Sequence, residues 1–533
     1  MQTRLLASAA ALALTAGAAH ADYTLHVLHI NDLHSRIQSI NKYDSTCGDE
    51  GEAKGECFGG IARVKTEINA MRDKLKAEGA NVIVLDAGDQ YQGSLFYSTY
   101  KGKLVAELMT DIGFDAMAVG NHEFDDGPTG TLELLDNVTF PVISGNLDLS
   151  SSTELKGKIK DHAVLEVGGE KIGIISALAV DTPETSSPGP NVTFQDEADS
   201  LAADAAALEA EGVTKIIALT HVGYVKDQAI AAKAEGVDAI IGGHSHTYLS
   251  STDEKAAGPF PTMVKGPSGT EVPISTAYAY SKYLGHTVLT FDDAGKLLKA
   301  EGEPILLDAS VTPDPEMVAR IKELSGPIDE LKAKVVATSE GDIDGNRDSC
   351  RAVECTMGNL VADAQLARVK DQGVTISIAN GGGLRASIAG GEVTMGDVLT
   401  VLPFQNTLAT FQAKGATIVK ALENGVSQYE EAAGRFAQVA GLHYTFDISK
   451  PVGERVSDVM VEKDGKWVPI DPEATYGVVT NNYVRNGGDG FKMFAAEGMN
   501  AYDFGPDLAD VTAEFLAANQ PYKPYTDGRI VKK

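Results

Sequence analysis

The sequence is short of basic residues, of cysteine and of long apolar segments. Its 533 residues include 45 Lys and Arg against 75 Asp and Glu, which gives a formal net charge of −30. This charge argues against a general nucleic-acid-binding protein, because such proteins bind phosphates through an excess of Lys and Arg. An anionic substrate would therefore need a local cationic site that overcomes the field of the whole chain.

Beyond the N-terminus, no stretch is continuously apolar for the roughly 18 residues that a membrane span needs. At the N-terminus, Arg4 precedes an apolar run over 5–16, and small residues lead to Ala19-His20-Ala21. This order predicts a secretory signal peptide cleaved after Ala21 and a periplasmic or secreted protein. A membrane anchor is the alternative, but the run is short for one. No apolar tail follows Asp527-Gly528-Arg529, so no lipid anchor is expected either.

Cysteine is scarce, and its four positions are Cys47, Cys57, Cys350 and Cys355. Four cysteines allow three pairings, of which the local pairs 47–57 and 350–355 each close a short loop and are expected. A cysteine-based metal site is the alternative. Neither spacing fits such a site, and export leads to an oxidising compartment in which disulfides persist.

Short apolar segments such as Asn81–Leu85 and Lys215–Leu219 alternate with segments of helical periodicity in the first part of the chain. This alternation predicts a largely α/β domain with covered sheets. A turn-rich stretch at 308–315 precedes a helical pattern that contains Pro327. The predicted division is a leader at 1–21, a catalytic domain at 22–308, a linker helix at 309–335 and a second domain at 336–533.

Polar residues follow the C-terminal ends of several predicted strands, at the edge where open α/β sheets bind ligands. They are Asp32, His34, Asp89, Asn121, His221, His244 and His246. Two pairs are spaced two residues apart, which in an extended segment places both side chains on one face. Mixed Asp, Asn and His donors favour zinc, manganese, iron or cobalt over calcium or magnesium. Two such ions about 3.5–4 Å apart would clamp a displacement at phosphorus.

His122 follows Asn121 directly, and Asp125 comes three residues later. An imidazole oriented by an aspartate is a common device for protonating a leaving alkoxide. The alternative is that the acidic side chain only stabilises a helix N-terminus. We interpret His122 and Asp125 as a catalytic dyad.

These motifs together resemble those of the calcineurin-like metallophosphoesterases, with Asp-Leu-His at 32–34, Gly-Asn-His-Glu-Phe-Asp at 120–125 and Gly-His-Ser-His at 243–246. Segments of the second part look like the C-terminal domain of 5′-nucleotidases. They are the Cys-Arg and Cys-Thr-Met-Gly-Asn-Leu segments between 350 and 360, Asn-Gly-Gly-Gly-Leu-Arg at 380–385, Leu-Pro-Phe at 402–404 and the Gly-rich segment at 482–491. The resemblance covers nearly all of the chain that follows the leader.

The resemblance implies a four-layer α/β/β/α metallophosphoesterase domain and a second, α+β nucleotide-binding domain, joined by a helical linker. It implies that one metal ion is held by Asp32, His34, Asp89 and His246, and a second by Asp89, Asn121, His221 and His244. It further implies phosphate binding by Arg351, Asn380 and Arg385, base stacking between Phe404 and Tyr483, and ribose binding by Asp489. Two positions depart from the usual pattern, because some relatives carry Gln where this chain has His246, and many carry Phe where it has Tyr483.

We therefore expect a secreted hydrolase with two divalent metal ions, zinc or manganese before cobalt, that removes the 5′-phosphate from nucleoside monophosphates. UDP-sugars and nucleoside di- or triphosphates would widen its substrate range, and nucleotide scavenging would be its role. One alternative is a 2′,3′-cyclic-nucleotide phosphodiesterase/3′-nucleotidase, or another metallohydrolase of the same architecture. Another is a non-catalytic nucleotide-binding protein, which the intact dyad and ligand set disfavour. The sequence does not predict an oligomeric state.

Overall fold

The computed structural model describes residues 22–42, 44, 46–404, 406–463, 465–503 and 505–533. The predicted signal peptide at 1–21 lies outside the described residues. Across the described ranges, none of the helices combines the length and the apolar character needed to cross a membrane.

Two mixed sheets form the centre of the first part of the chain, and most neighbouring strands run parallel because helices connect them. The first sheet has the order β14-β13-β1-β2-β3-β4 and consists of β1 (Tyr23–Ile30), β2 (Asn81–Asp86), β3 (Ala116–Ala118), β4 (Val142–Ile143), β13 (Tyr283–Phe291) and β14 (Leu297–Leu306). The second has the order β11-β12-β10-β9-β7-β6 and consists of β6 (His162–Val167), β7 (Glu170–Leu178), β9 (Lys215–His221), β10 (Ala239–Gly242), β11 (Thr262–Lys265) and β12 (Glu271–Ser275). A short ladder joins β5 (Leu147–Asp148) to β8 (Thr193–Phe194).

The two sheets pack face to face, and helices cover both outer faces. Strand β1 shows how the sequence produces this, because Leu25 and Val27 point to the core between the sheets while Leu28 and Ile30 point to the helices. The helices of this part are α1 (Asp49–Lys54), α2 (Ile61–Ala77), α3 (Leu95–Ile112), α4 (Gly127–Leu135), α5 (Thr182–Thr185), α6 (Glu197–Ala210) and α7 (Tyr224–Lys233). The arrangement confirms the predicted α/β/β/α layers.

A single helix, α8 (Pro315–Lys332), follows within the predicted linker. Its apolar residues Met317, Ile321, Leu324 and Ile328 have helical spacing and join the core that lies outside the first sheet. Pro327 does not end the helix, although proline removes a backbone hydrogen bond. The Leu324 carbonyl accepts a hydrogen bond of 2.8 Å from the hydroxyl of Tyr100.

The remaining residues form an α+β unit around two larger sheets. One has the order β19-β16-β23-β18-β24, with β16 (Ile376–Asn380), β18 (Leu408–Lys414), β19 (Ala437–Ala440), β23 (Thr475–Asn481) and β24 (Met499–Tyr502). The other has the order β22-β21-β20-β25, with β20 (Leu442–Phe446), β21 (Val456–Lys463), β22 (Lys466–Pro469) and β25 (Ile530–Lys532), and β15 (Val335–Ser339) pairs with β17 (Gly391–Thr394). The helices are α9 (Arg347–Cys350), α10 (Thr356–Val369), α11 (Met395–Val401), α12 (Gly415–Val426), α13 (Asn482–Arg485), α14 (Lys492–Glu497) and α15 (Leu508–Ala518).

Both expected disulfides are present, and each is local. Cys47 pairs with Cys57 around α1, and Cys350 pairs with Cys355 between α9 and α10. Cys350 and Cys355 are buried in the core of the second unit. The second disulfide therefore fixes the segment that carries Arg351.

Asp238 connects the two central strands of the second sheet at the end opposite to the predicted site. Its carboxylate accepts a hydrogen bond of 2.8 Å from the N–H of Ile216 in β9. Burial, assisted by Glu209, raises the pKa of this carboxyl to about 7 despite that hydrogen bond. The folded state therefore binds the proton more tightly than the unfolded chain, in which the pKa is about 3.9.

We predict that the stability contributed by protonated Asp238 is lost as the pH rises from about 4 to about 7. Asp238→Asn keeps an oxygen acceptor but has no charge, so the variant should gain about 2 kcal/mol relative to wild type between pH 5 and pH 8. Urea unfolding midpoints at the two pH values measure this change. Asp73→Asn, at an exposed position of α2, is the matched control and should follow wild type. The prediction would be contradicted if Asp238→Asn and wild type differed in unfolding free energy by the same amount at pH 5 and at pH 8.

Candidate active site

The seven predicted metal ligands converge at one edge of the two packed sheets. Asp32 and His34 follow β1, Asp89 follows β2, Asn121 follows β3, His221 ends β9, and His244 and His246 follow β10. The strand ends of both sheets thus contribute, and all of these residues except the half-buried His244 are buried. The prediction that distant strand ends meet is confirmed by this geometry.

The backbone of the ligand loops is not extended, although the sequence analysis expected it to be. The pairs 32/34 and 244/246 are not extended, because Asp32, His34, His244 and His246 have φ values of 51°, 48°, 78° and 52°, and Asp89 has 60°. Left-handed backbone at non-glycine residues costs about 1–3 kcal/mol each and persists only where the surroundings enforce it. Hydrogen bonds between the loops do so here, with the N–H of Asp32 bound to the Gly88 carbonyl at 2.9 Å and that of His34 to the Asp89 carbonyl at 3.0 Å.

Asp32, His34 and His246 form one cluster of donor atoms. The Nε2 atom of His246 lies 3.2 Å from Asp32 Oδ1 and 2.9 Å from the Nε2 atom of His34. Burial and the neighbouring arginines, Arg385 beside His34 and Arg347 beside His246, hold the pKa of both imidazoles well below the usual range. Both rings are therefore neutral and offer lone pairs.

Asp89, His221 and His244 form a second cluster, which Asn121 completes. Asp89 Oδ2 lies 3.1 Å from His221 Nε2 and 3.7 Å from His34 Nε2, so this carboxylate faces both clusters. The Nδ1 atom of His244 lies 2.8 Å from the side-chain oxygen of Asn121. Burial would raise the pKa of the Asp89 carboxyl, but the surrounding imidazoles of His221, His122 and His34 outweigh burial and hold it well below its usual range.

The donor atoms fit divalent cations. Within the described residues, the buried Nε2 atom of His221 has no well-formed hydrogen bond although it faces the Asp89 carboxylate. Imidazole nitrogens and carboxylate oxygens that face one another without hydrogen-bond geometry are the arrangement of ligands that share an ion. The family model and these donor groups support divalent-metal binding, and the Asp89 carboxylate faces both clusters.

Glu123 supports this site, and sequence reasoning missed it. Its buried carboxylate accepts hydrogen bonds from the N–H groups of Asp89 at 3.1 Å, Gln90 at 2.8 Å, Tyr91 at 3.2 Å and Gly120 at 2.7 Å. It thereby fixes the loop that carries Asp89. Its position next to His122 in the motif at 120–125 is the sequence feature that could have identified Glu123 as part of the site.

His122 and Asp125 form the expected pair. The Nδ1 atom of His122 lies 2.6 Å from Asp125 Oδ2, on the short helical turn His122–Phe124. Burial would lower the pKa of the imidazole, but the carboxylates of Asp125 and Asp89 outweigh burial and raise it. Since Nδ1 is bound to Asp125, the other ring nitrogen is the one available for proton transfer.

A cavity of about 730 Å³ lies between the two units and contains both predicted sites. All predicted substrate residues line it: Arg351, Asn380, Arg385, Phe404, Tyr483 and Asp489. The dyad and the metal-ligand candidates other than Asp32 and His221 also line it, and these two are buried behind the wall. Metal-ligand candidates and predicted substrate-binding residues therefore line one cavity.

Arg385 crosses the boundary between the units. Its guanidinium donates a hydrogen bond of 3.1 Å to His34 Nε2, and its carbonyl accepts one of 3.2 Å from Arg36 of the first unit. The ring of Phe404 lies 5.9 Å from that of His122, with 28° between the planes. The second unit thus places the Arg385 guanidinium against one donor cluster and the Phe404 ring beside the His122 imidazole.

Arg347 is a further cation that the sequence analysis did not single out. It lines the cavity from α9, one helical turn before Arg351. The sequence feature that could have identified it is its spacing of four residues from Arg351, because this spacing places both side chains on one face of a helix.

Asn380, Tyr483 and Asp489 form a hydrogen-bonded group at the other end of the cavity. Asp489 accepts a bond of 2.6 Å from the amide of Asn380 and one of 3.2 Å from the hydroxyl of Tyr483. Burial raises the pKa of the Asp489 carboxyl. This group offers hydrogen-bond acceptors to hydroxyls and an aromatic face to a planar ring.

Known proteins resemble this chain over its whole length. The family model described as calcineurin-like phosphoesterase matches residues 25–248, and that of the 5′-nucleotidase C-terminal domain matches 335–496. The 5′-nucleotidase of Homo sapiens is 37% identical over 549 residues, covering 99% of this chain and 93% of that protein. A snake venom 5′-nucleotidase of Naja atra is 36% identical, covering 96% of this chain and 98% of its own. The crystal structure of a 5′-nucleotidase precursor from Thermus thermophilus shares 40% identity with a TM-score of 0.90, covering 96% of this chain and 99% of that one.

We predict that Asp89→Asn loses more metal than His246→Ala, because Asp89 faces both donor clusters and His246 only one. Wild-type protein should carry two divalent ions per chain, His246→Ala about one and Asp89→Asn less than one. The ratios are measured by elemental analysis of protein that has been loaded with metal and then dialysed to remove unbound ions. Asp73→Asn is the control and should retain both ions. Equal metal content in Asp89→Asn and wild type would contradict the shared role of Asp89.

Proposed function

Because the chain belongs to the 5′-nucleotidase family, we propose that it hydrolyses nucleoside 5′-monophosphates to nucleoside and inorganic phosphate at the cavity between its two units. One observation carries this proposal: Arg385 of the second unit lies 3.1 Å from His34, so the predicted phosphate-binding residues adjoin the metal-ligand clusters. A phosphate held by these arginines would lie against both donor clusters and the dyad.

The metal ions are proposed to be zinc or manganese, held by Asp32, His34, Asp89 and His246 in one cluster and by Asp89, Asn121, His221 and His244 in the other. When bound, such ions lower the pKa of water toward neutrality and polarise phosphoryl oxygens. The chain itself fixes the donor positions through the loop hydrogen bonds and through Glu123. The nitrogen-rich donor set supports transition metals over calcium and magnesium.

The arginines counter the charge of the substrate. Arg347, Arg351 and Arg385 line the cavity beside the donor clusters, and a planar guanidinium matches a phosphate with two parallel hydrogen bonds. These cations, with the divalent ions, make the site locally positive in a protein of net charge −30.

In hydrolysis a water oxygen bonds to phosphorus while the bond from phosphorus to the 5′-oxygen breaks. We assign to His122 the proton that the leaving oxygen requires, and to Asp125 the orientation of its ring. The raised pKa of His122 supports this role, because it increases the fraction of the imidazole that carries the proton. Phe404 and Tyr483 would stack the base, and Asp489 would accept hydrogen bonds from the ribose hydroxyls.

We also propose that the protein is exported after removal of residues 1–21 and scavenges phosphate and nucleosides. Its two disulfides support an oxidising compartment. Among its relatives is one named for snake venom, a secreted fluid.

The proposed activity is tested by phosphate release from AMP, UDP-glucose, 2′,3′-cyclic AMP and p-nitrophenyl phosphate. AMP should be turned over with the highest kcat/KM, and a chelator should abolish turnover until divalent metal is restored. His122→Ala should lower kcat on AMP by about 10²–10⁴-fold, because the leaving oxygen then lacks its acid.

His162→Ala is the control for that variant, since His162 lies in β6 outside the cavity, and it should retain wild-type kcat. Faster turnover of 2′,3′-cyclic AMP than of AMP would contradict the proposed substrate. Unchanged hydrolysis by His122→Ala would remove this residue from the mechanism.

We predict that Tyr483→Ala raises the KM for AMP by roughly five- to hundredfold, because stacking a base is worth about 1–3 kcal/mol. Tyr483→Phe keeps the ring and should remain close to wild type. Steady-state kinetics measure both variants, with ribose 5-phosphate as a substrate that lacks the base. A KM for ribose 5-phosphate that rises as much as that for AMP would show that the ring acts on something other than the base.

A further inference from the structure

Asp125 has a second partner besides His122. Its Oδ2 atom is bound to the imidazole, and its Oδ1 atom accepts a hydrogen bond of 2.7 Å from the hydroxyl of Ser186. Both carboxylate oxygens are thus engaged, one by the imidazole and one by a hydroxyl 61 residues away in sequence. A carboxylate held at both oxygens cannot rotate without breaking a charge-assisted hydrogen bond.

Ser186 is itself held in place by its own loop. Its N–H donates a bond of 2.8 Å to the carbonyl of Thr182, which is buried and begins α5. Thr182 is fixed in turn to the carbonyl of Ala179, through its hydroxyl at 2.7 Å and its N–H at 3.1 Å. Pro188 is buried two residues after Ser186. The hydroxyl is therefore presented from an anchored segment rather than from a freely moving surface loop.

The same loop lies against the second unit. Helix α5 packs against the turn Gly488–Gly490, which carries Asp489. Ser186 also lines the cavity, together with Asp125 and Tyr483. The segment that holds the dyad thus borders the end of the chamber where a nucleoside would bind.

We propose that Ser186 is a positioning residue that fixes Asp125, and through it the His122 imidazole, for proton transfer to the leaving oxygen. This inference rests on the proposed phosphomonoesterase function. Ser186 does not need to touch the substrate, because it acts only through the orientation of the carboxylate. The alternative is that its hydroxyl merely completes the loop, in which case its loss would affect folding but not the dyad.

The test uses two substrates with different leaving groups. Ser186→Ala should lower kcat on AMP by roughly ten- to hundredfold, the effect of one hydrogen bond to a charged group, with little change in KM. On p-nitrophenyl phosphate the loss should be much smaller, because p-nitrophenolate departs without a proton. Ser186→Thr keeps the hydroxyl and should restore most of the activity on AMP. Ser187→Ala, the same change at the exposed neighbouring serine, should match wild type.

A double-mutant cycle isolates the proposed pathway. In the His122→Ala background, Ser186→Ala should cause no further loss of kcat on AMP, because the group on which it acts is already absent. Additive losses, or equal losses on AMP and p-nitrophenyl phosphate, would overturn the role of Ser186. A thermal midpoint of Ser186→Ala well below that of wild type, together with unchanged kcat on AMP, would assign the hydroxyl to the loop alone. A wild-type protein without AMP hydrolysis would instead contradict the proposed function itself.

Discussion

The separation between the Asp89 carboxylate and the imidazole of His221 is the constraint on which the active site depends. Asp89 follows a strand of the first sheet and His221 ends a strand of the second, yet their side-chain atoms lie 3.1 Å apart. The apolar layer between the sheets, which includes Leu85, Ile217 and Leu219, lies behind these strand ends, and the Nδ1 atom of His221 lies 2.6 Å from the Ala87 carbonyl oxygen. Because close-packed interiors transmit small changes in volume, the core between the sheets acts as the spacer of the metal site.

The ligand loops carry conformational strain, and the fold sustains it. Five of the seven ligand candidates have left-handed backbone, which an isolated peptide would avoid. Four backbone N–H groups converge on the Glu123 carboxylate, and that group fixes the Asp89 loop. Functional sites are where proteins commonly retain such strain. Here the strain directs donor atoms from short loops toward a common centre.

The second unit adds three arginines and the aromatic rings of Phe404 and Tyr483 to the cavity. The first unit provides the carboxylates and imidazoles of the donor clusters, whereas Arg347, Arg351 and Arg385 come from the second. Contacts such as that of Arg36 with the Arg385 carbonyl hold the two units together at the cavity. The arginines at the cavity thus offset the negative charge of the whole protein at the place where an anionic substrate would bind.

The sequence alone determined the α/β class of the first unit, the local disulfides and the identities of the metal-ligand and dyad candidates, because strand periodicity and strand-end motifs are local features. The four-layer architecture followed from the resemblance of its motifs to a known family. The seven ligand candidates could be named from their positions after predicted strands, and Phe404, Tyr483 and Asp489 from the resemblance of their motifs. Only the tertiary structure decided the left-handed loops at Asp32 and His34, the support from Glu123, the contribution of Arg347 and the contact of Ser186 with Asp125. These features depend on hydrogen bonds and packing between segments far apart in sequence, and no local pattern encodes the distance between two such segments.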